Sequence, residues 1–222
     1  MPANENARLL IEESKTWLQA MKLWKARLLR GEVIDQYELE HERQAFTHHS
    51  LDGLQTDQEK LCYWLNVYNG LTCYWLARKE IRTTVGEVSG FFQQASLWAG
   101  QMLTLDDIEH GILRRRGRPP FPNGDPRWQF CVSKVDYRIH FALNCGAASC
   151  PAIFGYSLEE LSNQLTNAEV VFLDRHFHVD HEARHIRCLD LFQKYRDDFG
   201  PRFLNQFSDY RVSLLPFDWS LR

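Results

Sequence analysis

Thr56-Asp-Gln-Glu-Lys-Leu-Cys-Tyr-Trp-Leu-Asn-Val-Tyr-Asn-Gly-Leu-Thr-Cys-Tyr-Trp-Leu-Ala-Arg78 is the stretch whose reading decides the fold. Leu61, Trp64, Leu65, Tyr68, Leu71, Thr72, Trp75 and Leu76 recur at helical spacing and give one long helix a broad apolar face. Its many aromatic residues predict burial on more than one side, which makes it the central helix. Asn66 and Asn69, three residues apart, share a face of that helix. Asparagine is a poor helix former and costly to bury alone, so these carboxamides aim at polar backbone or at a site.

Outward from this helix the elements are mixed. Leu9, Leu10, Ile11, Trp17, Leu18, Met21, Leu23 and Trp24 predict an N-terminal helix that Gly31 and the polar region around His48-His49-Ser50 interrupt. Residues 91–103 read as one or two short strands. Thr104-Leu-Asp-Asp107 reads as a capping box opening a helix that carries Glu109 and His110. Residues 115–126, rich in proline and glycine, predict a long loop. Residues 132–144 alternate like a half-buried strand, and Ser157-Leu-Glu-Glu160 opens a further helix to about Leu173. A hairpin over 178–188, a helix over 189–199 and a last strand over 210–217 complete the chain. Without regular βα alternation the fold class is α+β: helices around a small, mainly antiparallel sheet. Residues 1–53 form an N-terminal helical extension, and 54–222 form the main domain.

The 222 residues suffice for a full core, and 44% hydrophobic against 25% charged residues excludes a disordered chain. A net charge of -3 argues against nucleic acid as a general partner, and Arg114-Arg115-Arg116 with Arg118 reads as a solvated loop. No stretch approaches the roughly 20 apolar residues of a membrane span, so no membrane insertion is expected. The polar start of the chain lacks the order of a secretory signal. A cytoplasmic location with six reduced cysteines is therefore the expectation.

Chemistry concentrates in Arg138-Ile-His-Phe-Ala-Leu-Asn-Cys-Gly-Ala-Ala-Ser-Cys-Pro151. An imidazole (His140), a carboxamide (Asn144) and two thiols (Cys145 and Cys150) lie where a strand meets a loop of small residues. A catalytic thiol needs a nearby base or cation, and strict alternation points Cys145 away from His140. Two bland readings stand beside the reactive one. Free cysteines usually pack as small hydrophobes. Glu109 and His110, adjacent on a helix, do not face each other. His176, His178, His181 and His185 form a dense cluster that could contribute to a zinc site, but no four-ligand pattern is spelled out. No metal and no cofactor is expected.

Trp64-Leu-Asn-Val-Tyr-Asn69, Leu103-Thr-Leu-Asp-Asp-Ile-Glu-His-Gly-Ile-Leu-Arg114, the 138–151 stretch and Leu215-Pro-Phe-Asp-Trp-Ser-Leu221 together resemble the family known as domain of unknown function 547. The resemblance runs from about Thr56 onward. It implies a domain found in bacteria, plants and animals, often placed in plants behind a coiled coil that mediates partnering, and it implies no activity. One departure is visible: Asp136-Tyr137-Arg138 stands where the family usually has Asp-Pro-Arg. The α+β arrangement is loosely like papain and transglutaminase folds, by analogy alone. Those enzymes carry their cysteine at the start of the central helix; here Cys62 is nearby but outside the family motif.

Two readings follow. In one, the protein is a thiol-dependent acyl-transfer or hydrolase-like enzyme using Cys145 or Cys150. His140 or His110 is then the base, and Asn66, Asn69, Asn144 and Glu109 bind substrate or stabilise an oxyanion. In the other, the same residues are structural and the protein is a non-catalytic interaction module. The partner is accordingly a small molecule or a protein.

Overall fold

A computed structural model describes residues 5–46, 50–115 and 121–221. His48 and His49, and Arg116, Arg118, Pro119 and Pro120 of the expected loop, lie outside the described residues. The element order is α1 (Glu5–Leu29), α2 (Gln36–Gln44), α3 (Asp57–Arg78), β1 (Ser96–Trp98), β2 (Gln101–Leu103), α4 (Leu161–His176), β3 (Phe177–Asp180), β4 (His185–Leu189), α5 (Leu191–Lys194) and β5 (Arg211–Leu215). Short 3-10 turns and one π-helical segment, Asp107–Leu113, join them.

Helix α3 is the centre of the molecule. Thr56 accepts the Glu59 N–H, and the Glu59 carboxylate accepts the N–H groups of Thr56 and Gln55. This reciprocal cap satisfies donors that a helix start otherwise leaves orphaned. From Leu61 to Ala77 every side is buried, as the aromatic content requires. Helix α1 lies along it so closely that the Trp17 ring occupies the space where a Cβ on Gly70 would sit. Helix α2, which no hydrophobic periodicity announces, starts at Asp35, whose carboxylate accepts the Tyr37 and Glu38 N–H groups.

The fold class is α+β. Strands β1 and β2 form a hairpin, turned through Ala99 and Gly100, both with positive φ. In a separate three-stranded sheet β4 pairs antiparallel with β3 and parallel with β5. One apolar cluster surrounds α3 and α1. A second, rich in phenylalanine, gathers Phe141, Phe172, Phe192, Phe199 and Phe203 with Ile186 and Leu189 of the three-stranded sheet.

Three local expectations are corrected. Residues 132–144 are not a strand: the Asp136 carboxylate accepts the Arg138 N–H and starts a 3-10 turn, Tyr137–Phe141. Polar His140 and Asn144 set among apolar residues mimic the alternation of a strand, whereas Ile139 through Asn144 are all buried. Helix α4 starts at Leu161, and the Ser157 N–H bonds the Gln164 side chain instead of Ser157 capping the helix. The helix expected over 189–199 shrinks to α5, followed by turns that carry Tyr195 and Asp198.

Candidate functional site

A cavity of about 190 Å³ opens where the two apolar clusters meet. Cys145, Cys150, His140, Glu109 and His110 line it. Tyr68 from α3, Lys194 from α5, Tyr195, and an apolar wall including Phe172, Phe217 and Trp219 complete it. Asn66, Asn69 and Asn144 do not line it; all three are buried and bonded to backbone.

Asn69 and Asn144 hold the thiol loop in place, and Asn66 ties α3 to α1 and to the chain at Tyr156. Asn66 donates to the Tyr156 carbonyl and to Ser14 Oγ of α1, and accepts the Tyr156 N–H. Asn69 donates to the Ala142 carbonyl at 3.1 Å and accepts the Asn144 N–H at 2.8 Å. Asn144 in turn spans the loop, accepting the Gly146 N–H and donating to the Pro151 carbonyl. Gly146 has φ +91, which an L side chain rarely adopts, and the loop turns there. From outside, the C-terminal motif buttresses the loop: Ser149 donates to the Asp218 carbonyl and its hydroxyl accepts the Asp218 N–H. Three of the four sequence motifs thus meet at the thiol loop.

The two half-buried sulfurs approach to 2.7 Å, and the Cys145 N–H donates to the Cys150 sulfur at 3.2 Å. Burial opposes ionisation of Cys150, but the Cys145 thiol and the backbone N–H groups of Cys145 and Ala147 outweigh it and bring its pKa down. Cys145 is pushed well up by its contact with the Cys150 sulfur and by burial. The remaining four thiols, Cys62, Cys73, Cys131 and Cys188, are buried and raised by that burial.

His140 Nε2 lies 2.8 Å from Asp198 Oδ2. The carboxylate can only accept, so Nε2 carries the proton and Nδ1 is the basic nitrogen. The ring stacks on Tyr195, with centroids 4.1 Å apart. Burial lowers the His140 pKa and keeps the imidazole neutral, with Asp198 opposing the shift. Burial also opposes ionisation of Asp198, but hydrogen bonds from His140 and Arg114 win and hold its carboxyl at about 2. Arg114 Nε donates to Asp198 at 2.5 Å, and its Nη1 donates to His110 Nδ1 at 3.0 Å. Glu109 accepts the hydroxyls of Tyr68 at 3.1 Å and Tyr195 at 2.9 Å. Among the described residues no histidine nitrogen hydrogen-bonds either sulfur.

Asp198, Arg114, Tyr68 and Tyr195 escaped sequence reasoning. Arg114 and Tyr68 sit inside the quoted motifs and carried a signal; Asp198 lies in an unremarkable polar run. The histidines of the 176–185 cluster disperse. His176 packs on Phe172, His178 bonds a backbone carbonyl, and His181 and His185 bond Tyr210 and Ser213. Among the described residues no three His, Cys, Asp or Glu side chains are grouped to hold a metal ion. No described helix is long and apolar enough to cross a membrane.

An α+β domain with a thiol pair clamped beside a His–Asp dyad is thus the class that fold and site define. A family described as "Protein of unknown function, DUF547" matches residues 51–173, and the chain belongs to that family. The matched region takes in α3, the π-helical segment and the thiol loop, and leaves Asp198 and the C-terminal buttress outside it. Comparison with curated proteins and with solved structures gave no match, so the analogy to papain and transglutaminase folds carries no argument.

Proposed function

We propose that the cavity is the active site of a thiol-dependent acyl-transfer or hydrolase-type enzyme, with Cys150 as nucleophile and a small molecule or a protein side chain as acyl donor. The observation that carries this reading is the Cys145 N–H donating to the Cys150 sulfur, with the Cys145 sulfur in contact beside it, in the same cavity as a neutral imidazole. A lowered thiol pKa and a neighbouring general base are what nucleophilic thiol catalysis requires. Proton transfer between His140 and the sulfur then runs through a water or the substrate, since the two are not directly bonded.

In the proposed reaction the Cys150 thiolate attacks a carbonyl carbon. A C–S bond forms, and the bond from that carbon to its leaving oxygen, nitrogen or sulfur breaks. His140 Nδ1 takes the thiol proton and returns it to the leaving group. Water, or another acceptor nucleophile, then attacks the thioester and restores the thiol. Asp198 orients the imidazole, Arg114 orients Asp198, and Asn69 and Asn144 position the loop. A reducing compartment such as the cytoplasm suits a site that needs a free thiol.

Site-resolved alkylation with iodoacetamide at pH 7, read by mass spectrometry, tests this. Cys150 is expected to react at least about tenfold faster than Cys62, Cys73, Cys131 and Cys188, and His140→Ala is expected to slow it. A stoichiometric burst of p-nitrophenolate from p-nitrophenyl acetate, lost in Cys150→Ser, is the matching activity readout. Equal, sluggish alkylation of all six cysteines, unchanged by His140→Ala, leaves the non-catalytic interaction module in its place.

A further inference from the structure

Cys150 also stands in the wall of a second cavity, of about 290 Å³, and Pro151 and Phe172 are likewise shared between the two. The thiol therefore sits at a junction and not at the end of a closed pit. The lining of this second hollow is mostly apolar. Ala168 forms part of its buried floor, while Phe154 and Val171 stand 51% and 52% exposed around it. Apolar side chains kept in water around a concavity next to convergent polar groups are the usual make-up of a ligand site.

The polar groups of this cavity differ in what they are free to do. Gln164 is committed, accepting the Ser157 N–H and donating to the Gly155 carbonyl. The His176 ring packs on Phe172, and burial followed by the Arg175 charge pushes its pKa down, so it is neutral. Arg175 is exposed at the rim, and its guanidinium has no hydrogen-bond or ion-pair partner among the described residues. A cation thus stands at the cavity without a counter-charge, and the nucleophile stands in its wall.

We propose that the second cavity is the acyl-group subsite of the Cys150 centre and takes an apolar acyl chain whose far end carries an anion, held by Arg175. The chemistry rests on the thiol-enzyme reading above; the binding does not. With its carbonyl carbon at Cys150, such a chain covers Phe154, Val171 and Phe172 and sets its anion against the guanidinium. Arginine suits that role because it presents a planar fork of donors that matches a carboxylate.

Isothermal titration of the full chain with octanoate, acetate and octylammonium tests the site without any turnover. Octanoate is expected to bind and the other two are not, since one lacks the apolar body and the other reverses the charge. Arg175→Glu and Val171→Asp are each expected to weaken octanoate at least about tenfold. Both positions are solvent-exposed, so the melting temperature should hold. Acetate or octylammonium binding as well as octanoate overturns the proposal, and so does either variant leaving octanoate affinity unchanged. The two readings also fail separately. Octanoate binding with no Cys150-dependent burst keeps the subsite and removes the enzyme. A burst from p-nitrophenyl acetate with no octanoate binding keeps the enzyme and removes the subsite.

Discussion

Replacing Asp198 with Asn isolates the charge that organises the His140 side of the cavity. The Asp198 side chain is fully out of solvent, so little of its interaction with His140 and Arg114 is screened away. Its carboxyl is held at about 2, against an ordinary value near 3.8. A depression of that size corresponds to roughly 2.5 kcal/mol of folding stability, present above the unfolded-state value and lost as pH falls through the folded-state value. Asparagine keeps the shape and one acceptor oxygen but removes the charge, leaving the Arg114 guanidinium without its buried partner. Urea unfolding at pH 7 should find Asp198→Asn less stable by about 2–3 kcal/mol. The gap should close in acid, with about half of it gone at pH 3, because protonated aspartic acid and asparagine are then nearly equivalent. Other carboxylates such as Glu40, held at about 2 by its Arg43 hydrogen bonds against the opposing effect of burial, titrate alike in both proteins and cancel. A gap under about 0.5 kcal/mol at pH 7, or one that stays constant down to pH 3, refutes the reasoning.

Gly70→Ala tests the α1–α3 seam. The added Cβ would lie 2.3 Å from Trp17 Cζ3, and overpacking of about 1–3 kcal/mol should outweigh the roughly 1 kcal/mol that alanine gains in a helix, so the urea midpoint should fall. A chain beginning at Thr56 should aggregate or lose its cooperative melt, because it strips α1 from the face of α3; light scattering and thermal melts of the truncated protein, matching those of the full chain, would contradict this. Denaturing, non-reducing alkylation followed by intact mass measurement should find all six cysteines modified, and a Cys145–Cys150 bridge in the native protein would redirect the site toward redox chemistry. Asn69→Ala should cost about 2–4 kcal/mol, since it leaves the Ala142 carbonyl and the Asn144 N–H unpaired, and it should also change the alkylation rate of Cys150, whose loop it anchors.

Patterns carried by the local chain were legible in the sequence. The period and aromatic content of residues 56–78 announced a central helix buried on more than one side, because both follow from covalent spacing and hydrophobicity alone; that every side is covered came with the packing. The hairpin over 178–188 and the Thr104–Asp107 cap were equally local, and the latter forms through reciprocal bonds between the Thr104 and Asp107 side chains and backbones. Chemistry-bearing residues in the 138–151 stretch could also be singled out there. Their orientation could not. The pattern around His140 imitates a strand because a buried, hydrogen-bonded histidine looks polar in a one-dimensional pattern. What tertiary structure alone decided is the company these groups keep. Asp198 reaches His140 across 58 residues, Asn69 reaches the thiol loop across 73, and Glu109 joins Tyr68 and Tyr195 from three separate segments. Such bonds form because burial strips each polar group of water and leaves it to find a partner wherever packing has put one, and no local pattern records which distant residue that will be.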